Sequence, residues 1–263
     1  MIESSLSAST LILDILAGAS ERRLPAQHII RAGEIMGLSE STLRVALTRL
    51  VKSGKLEKQD RAIYALDTTR NRLQLDVGDW RARMGWMIDW HGDWVLIAES
   101  SQGQANATER RRHQRALSLR GFRQWKPHVQ IRPNNLAGGL DGLRQDLSTL
   151  GLSPDADLCL ASGLTPAQSD RVLALWDIPA LEQTYQTLTE TVETSLARLD
   201  TLEPDAAARE SLLTGRDLIR NMLQDPLLPQ EVLHDASLRE TADAIAHYQD
   251  HSRAIWETVF ESA

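Results

Sequence analysis

The amino-acid sequence predicts an α+β protein with three consecutive domains, at residues 1–72, 84–164 and 165–263. Three patterns support this prediction. The first range contains helical segments separated by glycine turns and then a hairpin, the middle range alternates strands with helices, and the last range shows helical periodicity throughout. A chain of 263 residues is long enough for two or three such domains.

The composition is typical of a folded protein in a reducing compartment. Hydrophobic residues make up 42% of the chain and charged residues 25%, which excludes an intrinsically disordered protein. The single cysteine, Cys159, cannot form an internal disulfide, and no run of about 18 apolar residues is present. We therefore expect a cytoplasmic protein with no membrane partner.

Charge is distributed unevenly along the chain. The formal net charge of −7 argues, as an average, against a protein that binds DNA phosphates. Residues 1–72 nevertheless carry a net charge of +3 and residues 73–135 a net charge of +4, whereas residues 136–263 carry −14. The first half of the chain is therefore the half expected to meet an anionic partner.

Two helices are predicted before residue 38. The first is capped by Ser7 or Ser9 and ends at Gly18, where a left-handed residue is expected. The second extends from His28 to Met36 and stops at Gly37.

A third helix and a hairpin follow. Ser39 can cap this helix, which has a buried stripe of Leu43, Leu47 and Leu50 and ends at Gly54. The next segment, KLEKQDRAIYALD, predicts a two-stranded hairpin with a polar tip. Helix, helix-turn-helix and hairpin in this order are typical of a winged-helix DNA-binding domain. The alternative is a small helical domain whose hairpin contacts other proteins.

The outward side of the third helix holds the candidate DNA contacts. Hydroxyl and guanidinium groups beside one small apolar side chain can read base edges in a major groove, and lysines can bind phosphates. Two cations of the hairpin belong to the same surface. The predicted contacts are Ser41, Thr42, Arg44, Val45, Thr48, Arg49, Lys52, Lys58 and Arg61.

The middle range predicts two strand–helix–strand units. Residues 94–98 form an apolar strand pattern, residues 107–119 a helix, and residues 122–125 and 128–131 two further strands. A helix with a leucine stripe and a last strand at residues 156–162 complete the order. Strand, helix, strand, strand, helix and strand in succession are typical of a ferredoxin-like domain, which serves more often as a binding or dimerisation platform than as an enzyme.

A set of motifs recurs in a fixed order along nearly the whole chain. In the first half these are STLRVALTRLVKSGKLE with Tyr64, WHGDW at residues 90–94, and Arg111 through Gly121-Phe122 with Ile131-Arg132-Pro133. In the second half they are Leu175-Trp176-Asp177, Tyr185, Asp225-Pro226 and Leu228-Pro229. In order and spacing they resemble the PaaX-like transcriptional regulators, the repressors of phenylacetic acid degradation.

The resemblance implies a repressor that binds palindromic operator DNA as a homodimer and releases it on binding phenylacetyl-CoA. It also implies a winged helix, a middle domain similar to the ferredoxin-like fold of a CRISPR adaptation protein, and a helical C-terminal domain. Two segments depart from the family pattern. The wing tip is Gln59-Asp60-Arg61 instead of the usual Gly-Arg-Arg/Ser, and QEVLHDASLRE after Pro229 lacks the usual Trp-Pro-Gly.

An acyl-CoA effector needs cations for its phosphates and an aromatic or apolar slot for its acyl group. The middle range offers both kinds of side chain. The alternatives are that these arginines lie over DNA phosphates or pair with acids of the C-terminal half. The candidate effector-binding residues are Arg111, Arg115, Arg123, Trp125, His128 and Arg132.

The remaining sequence predicts acidic helices without a catalytic set. Asp243, His247 and His251 have the spacing of metal ligands on one helix face, but the glutamate of an HExxH motif is absent, and we expect no metal. Glu99 is the one acid at a position where a related nuclease fold binds metal. No nucleophile elbow, phosphate-binding loop or dinucleotide motif is present, so no catalytic residue and no cofactor is predicted.

Together these features predict a homodimeric transcriptional regulator that binds double-stranded operator DNA and is not an enzyme. We expect it to repress an aromatic-acid catabolic operon and to be released by an aryl-CoA or a similar small effector. The alternative is a winged helix fused to a ferredoxin-like nuclease or hydrolase. A third possibility is a winged-helix module that binds proteins.

Overall fold

The computed structural model describes residues 6–59, 62–67, 76–99 and 106–262. The protein belongs to the α+β class, as predicted, with two antiparallel sheets and long helices. Contacts between residues group the chain into two compact units. Unit 1 contains Met1–Trp80, Thr189–Arg220 and Asp243–Ala263, and unit 2 contains Arg81–Leu188 and Asn221–Ala242. No helix in the described part of the chain combines the length and the apolarity that a membrane span requires.

Unit 1 begins with three helices and a three-stranded sheet. The helices are α1 (Ala8–Gly18), α2 (Ala26–Ile35) and α3 (Glu40–Lys52). The sheet has the order β1-β3-β2 and consists of β1 (Arg23–Pro25), β2 (Leu56–Gln59) and β3 (Ile63–Leu66). The three helices and the hairpin are those that the sequence predicts, while β1 is an additional strand that pairs with β3.

The end of α1 differs from the prediction at Gly18. Ser7 caps the helix, its Oγ accepting a hydrogen bond from the N–H of Thr10 at 3.1 Å. Gly18 remains within the helix, and the chain leaves it at Ala19 in an extended conformation. The helix therefore ends at Gly18 as predicted, but the left-handed conformation expected there is found instead at Glu21 and Arg22.

Helices α2 and α3 are joined by a tight turn and approach closely at one glycine. The N–H groups of Gly37 and Leu38 donate to the carbonyl oxygens of Glu34 and Gly33, at 2.9 and 2.8 Å, which closes α2 in a Schellman turn. Gly37 takes a φ of 77° there. A Cβ on Gly33 would come within 2.9 Å of Leu43 Cγ, so the absent side chain leaves room for the fully buried leucine of α3.

Unit 2 contains the four-stranded sheet, and a 3-10 helix at Trp80–Trp86 precedes its elements. These elements follow one another along the chain as the sequence predicts. They are β4 (Trp94–Ala98), α4 (Ala107–Leu119), β5 (Arg123–Lys126), β6 (Val129–Pro133), α5 (Gly139–Leu150) and β7 (Asp157–Ala161), and α6 (Pro166–Leu173) comes after them. The strands lie in the sheet in the order β7-β4-β6-β5.

Three arginines lie in the interior of unit 2, a feature that the sequence analysis does not predict. Arg83, Arg120 and Arg132 are each 1% exposed. Arg120 makes a two-pronged ion pair with Asp146, and the Trp86 ring lies 5.2 Å from its guanidinium. The other two donate mainly to backbone carbonyl oxygens: Arg83 to Met222, Leu119 and Asp225, and Arg132 to Pro133 and Arg120.

Asp225 organises a second buried group in unit 2. Its carboxylate accepts hydrogen bonds from the hydroxyl of Tyr185 at 2.6 Å and from the N–H of Leu227 at 2.8 Å. The next residue, Pro226, lies against Gly121, where a Cβ would come within 2.5 Å of its carbonyl oxygen. Trp176 donates to the carbonyl oxygen of Gly121 at 3.2 Å, so several of the motifs found along the sequence meet in this group.

The three long helices of the last hundred residues belong to both units. They are α7 (Ile178–Leu199), α8 (Pro204–Gln224) and α9 (Asp235–Glu261). The sequence predicts residues 165–263 as one domain, but contacts assign 189–220 and 243–263 to unit 1 and the rest to unit 2. Helical periodicity reveals which face of a helix is buried and does not reveal which core buries it.

The end of α9 is part of the unit 1 core. Trp256 and Val259 are 8% and 2% exposed and pack with the buried leucines of α1 and α3. Phe260 stacks on His28 of α2 with ring centroids 4.5 Å apart and an interplanar angle of 3°. Helix α2 is thus packed against the end of the C-terminal helix α9.

Replacing Gly33 with alanine is expected to destabilise unit 1. Overpacking a tight core costs roughly 1–3 kcal/mol, which exceeds the gain of about 1 kcal/mol in helix propensity. Urea unfolding measures the change. Gly18→Ala is the matched control, because a Cβ on this helical glycine meets no atom within 4 Å and should be neutral or stabilising. Equal effects of the two substitutions would contradict the close approach of α2 to α3.

Asp225→Asn is expected to change how stability depends on pH. Burial raises the pKa of the Asp225 carboxyl above its unfolded value, although the hydrogen bonds from Tyr185 and Leu227 oppose this. A raised folded pKa contributes stability that is complete below the unfolded pKa and is lost as pH rises through the folded pKa. The free energy of unfolding of the wild type minus that of Asp225→Asn should therefore fall as pH rises from 4. A constant difference in urea titrations up to pH 8 would refute this.

Candidate nucleic-acid interface

The candidate interface is the outward face of α3, which is fixed at both ends by hydrogen bonds. At the start, Ser39 Oγ accepts from the N–H of Thr42 at 3.3 Å. At the end, the N–H groups of Gly54 and Lys55 donate to the carbonyl oxygens of Val51 and Leu50, both at 2.9 Å, in a second Schellman turn. These caps, which follow from the serine and glycine of the sequence, set the length of α3.

The inward face of α3 determines which side chains face solvent. Leu43, Leu47 and Leu50 are 0%, 2% and 4% exposed, as predicted, and Ala46 completes the buried stripe. All seven α3 residues predicted to contact DNA are exposed. They are Ser41, Thr42, Arg44, Val45, Thr48, Arg49 and Lys52.

Some of these exposed side chains already form an ion pair or a hydrogen bond within α3, and others do not. Arg44 forms an ion pair with Glu40 at 2.5 Å one turn earlier, and the hydroxyl of Thr48 donates to the carbonyl oxygen of Arg44 at 2.9 Å. Arg49 and Lys52 have no ion pair or side-chain hydrogen bond with any residue that the structure describes. Their cationic groups are thus the ones most directly available to an anion or a base edge.

An apolar group lies beside these cations. Val45 is 53% exposed, one of the few large apolar side chains in the described chain with such exposure. On the same helix face as Arg49, it supplies the methyl groups that can contact a thymine methyl. The face therefore combines a guanidinium fork, hydroxyl groups and one small apolar surface.

Of the two predicted DNA contacts on the hairpin, the structure describes one. Lys58 is exposed on β2, directly opposite Tyr64 of β3. The hairpin has the register that pairs Leu56 with Leu66, both of which are buried. Arg61, the other predicted wing contact, lies outside the described residues.

An acidic residue of the C-terminal half lies close to the helix-turn-helix. Arg31 of α2 forms an ion pair with Asp205 of α8 at 2.5 Å, within unit 1. A second ion pair has the opposite sense, because Arg216 of α8 pairs with Asp14 of α1 at 2.8 Å. Asp205 is thus one acid of the last 128 residues that pairs with an arginine of α2, whereas the only acid of α3 is Glu40.

The six residues predicted to bind the effector differ in how exposed they are. Arg111 and Arg115 are exposed on α4, and His128 is exposed between β5 and β6. Arg123 is half-buried, which lowers its pKa, and donates to the carbonyl oxygen of Phe122. Trp125 is half-buried, with the Lys126 ammonium 4.8 Å from its ring.

Arg132, the sixth predicted effector residue, lies in the interior. Burial and the nearby guanidiniums of Arg83 and Arg120 lower its pKa to about 9, so it stays a cation at neutral pH. It donates to Asn135 Oδ1 at 2.8 Å and to backbone carbonyl oxygens. Arg132 therefore does not share a surface with the exposed candidates Arg111, Arg115 and His128. A strand pattern that alternates inward and outward residues does not reveal such a buried cation.

Four arginines on α4 form an exposed cationic surface. Their guanidinium groups make no hydrogen bond or ion pair with a described residue, so none of them pairs with a described acid of the C-terminal half. Arg111 and Arg115 lie one turn apart on the side opposite the buried His113. The four are Arg110, Arg111, Arg112 and Arg115.

Glu99 is paired with a histidine, and one histidine of α9 lies near an acid. Glu99 Oε1 lies 3.0 Å from His113 Nε2, while the N–H of Ser153 donates to His113 Nδ1 at 3.0 Å. Because Nδ1 accepts, Nε2 carries the proton that is donated to Glu99. His251 lies 3.4 Å from Asp200. Across the described ranges, no group of three or more His, Cys, Asp or Glu side chains could hold a metal ion.

Comparison with known proteins gives a fold neighbour. No family model and no curated protein matches the chain. Among solved structures, the chain is similar to the uncharacterized protein Rv0674 from Mycobacterium tuberculosis, with a TM-score of 0.57 and 24% sequence identity. The match covers 95% of this chain and 100% of that chain. At this identity the similarity shows the fold alone.

Proposed function

We propose that the protein is a homodimeric transcriptional regulator that reads operator DNA with the outward face of α3. The observation that carries this proposal is the state of that face, where every predicted contact is exposed and Arg49 and Lys52 are unengaged among described residues. A guanidinium beside a small apolar side chain on a rigidly capped helix suits base reading in a major groove.

The order of elements in unit 1 supports this reading. A helix, a helix-turn-helix and a hairpin in succession correspond to a winged-helix domain, in which α3 is the recognition helix and β2 with β3 is the wing. Lys58 on the wing would bind phosphate in this arrangement. In unit 2, the order β7-β4-β6-β5 with α4 and α5 as crossovers is that of a ferredoxin-like sheet.

For the regulation, we propose a repressor of an aromatic-acid catabolic operon in the cytoplasm, released by an aryl-CoA or a related acyl-CoA. The exposed arginines of α4 support a ligand with several phosphates, because guanidinium groups bind phosphate through paired hydrogen bonds. Release would follow if the ligand binds better to a conformer whose α3 helices no longer match two half-sites. A loss of about 100-fold in occupancy requires a preference of roughly 2.7 kcal/mol.

The first test is a titration of labelled promoter DNA from the neighbourhood of the gene, at several salt concentrations. A regulator should bind with a sequence preference and lose affinity steeply as salt rises, because phosphate contacts release counterions. Lack of binding at low salt would refute the proposal. Degradation of the DNA would favour the nuclease, and salt-independent binding of a protein instead of DNA would favour the interaction module.

Arg49→Ala is expected to weaken operator binding by about 1–3 kcal/mol and to relax the preference at one base pair of each half-site. Fluorescence anisotropy with a set of single-base operator variants measures both effects. Arg253→Ala, an exposed arginine of α9 in unit 1, is the control for the loss of one positive charge. If Arg49→Ala binds all operator variants as the wild type does, α3 reads DNA with a different face.

Phenylacetyl-CoA, but not free CoA, is expected to raise the melting temperature and to lower operator affinity, because a ligand that binds only the folded state stabilises it. Arg111→Gln combined with Arg115→Gln should reduce the shift, since both cations would face the phosphates. Differential scanning fluorimetry measures the shift. A melting temperature unaffected by every aryl-CoA tried would rule out this class of effector.

A further inference from the structure

Helix α4 exposes a row of cationic and polar side chains along one face. Arg111, Gln114, Arg115 and Ser118 are all exposed, and they follow one another at spacings of three and four residues. Because an α-helix completes a turn about every 3.6 residues, side chains at this spacing share one face. The opposite face of α4 is buried and includes His113. We call the exposed row the α4 cationic face.

Among the described residues, no acid balances the two arginines of the α4 cationic face. Arg111 and Arg115 make no ion pair or hydrogen bond with any of them. Glu109, the one acid in the fully described helix α4, precedes Arg111 by two residues and therefore points to the opposite side of the helix. Like charges four residues apart destabilise a helix. The stability of α4 thus gives no reason for this pair of arginines.

Two further arginines extend the positive charge on either side of this face. Arg110 and Arg112 are both exposed, each about 100° around the helix from Arg111. Arg112 lies over the end of α5, where a Cβ on Gly151 would come within 3.1 Å of Arg112 Cβ and 3.2 Å of its Nε. Gly151 has a φ of 110°, so this glycine both ends α5 and leaves room for the stem of Arg112.

The length of the α4 cationic face matches a row of phosphates. Arg111 and Ser118 are seven residues apart, which corresponds to about 10 Å along the helix axis. One strand of DNA presents a phosphate about every 3.4 Å of its axis, so the face spans about three phosphates. Over the described length of α4, this face carries no aromatic or large apolar side chain that could contact a base. Guanidinium, amide and hydroxyl groups are the side chains that commonly bind DNA phosphates.

We infer that the α4 cationic face binds the phosphate backbone of double-stranded DNA without reading its sequence, as a second DNA-binding surface in addition to α3. The inference rests on the proposed function in one respect, because the DNA is the duplex that α3 reads. Phosphate contacts strengthen binding to every duplex alike, whereas base contacts distinguish one sequence from another. An acyl-CoA bound at Arg111 and Arg115 would compete with the DNA for the same guanidinium groups.

Arg111→Gln combined with Arg115→Gln tests the α4 cationic face. Both side chains are exposed, and glutamine has a helix propensity close to that of arginine, so the circular dichroism spectrum should not change. Fluorescence anisotropy measures the affinity for an operator duplex and for a duplex of scrambled sequence, between about 50 and 200 mM salt. The slope of log affinity against log salt should become shallower by about two for each bound protomer, because two phosphate contacts are lost. Over this salt range the variant should lose about tenfold less affinity than the wild type for each bound protomer.

Two control variants separate phosphate binding from other effects. Arg144→Gln combined with Arg253→Gln also removes two exposed arginines, each of which pairs with an acid three residues earlier in the chain. It changes the net charge by the same amount and should keep the wild-type slope. Arg111→Lys combined with Arg115→Lys keeps both charges and should restore the wild-type slope, since counterion release depends on charge.

The inference is supported if both affinities fall by the same factor in the glutamine variant while their ratio stays at the wild-type value. A wild-type slope in this variant would overturn it, as would an equal change of slope in the Arg144 and Arg253 control. A third contrary result is a glutamine variant that binds both duplexes normally but no longer gains thermal stability from phenylacetyl-CoA. That result would assign the two arginines to the phosphates of the small ligand alone.

The inference and the proposed function fail independently, because they have different readouts. Arg49→Ala tests base reading through the ratio of operator to scrambled affinity, whereas the glutamine variant tests phosphate binding through the salt slope. A sequence preference with no change of slope in the glutamine variant would refute only the α4 cationic face. Salt-dependent binding that requires Arg111 and Arg115 but shows no operator preference would refute only base reading by α3.

Discussion

The close contact between Gly33 and Leu43 is the constraint on which the candidate interface depends. The missing side chain of Gly33 admits a fully buried leucine of α3, so α2 and α3 meet with little room between them. The Schellman turn at Gly37 and the cap at Ser39 fix the short connection between the two helices. Because the inward face of α3 is fixed in this way, its outward face is presented as a rigid surface, which a reader of base edges requires.

Buried polar groups join several segments of unit 2. Its three buried arginines satisfy most of their donors with backbone carbonyl oxygens and with Asp146, and thereby tie together segments that are distant in sequence. The hydrogen bond from Tyr185 to Asp225 likewise joins α7 to the segment that follows α8. These buried arginines contribute to the net charge of the chain but not to the positive charge on its surface. The positive charge available to a ligand in unit 2 therefore comes largely from the exposed α4 arginines.

The proposed function would depend on symmetry. Operators recognised by dimers consist of two half-sites, and the dimer geometry sets the distance between the two recognition helices. If the ligand and the DNA favour different conformers, a defined dimer lets a modest free energy change both half-site contacts together.

The sequence by itself determined the elements and the exposure of α3. Local features define these elements: the caps at Ser7 and Ser39, the turn glycines and the leucine stripe. Because each feature involves residues only a few positions apart, the sequence alone predicts the helices and the hairpin of the first 66 residues. Only the tertiary structure decided that Arg132 is buried beside Asn135, that Glu99 binds His113, and that α9 completes the core of unit 1. Periodicity shows that one face of a helix or strand is buried. The residues that pack against that face lie far along the chain, so no local pattern identifies them.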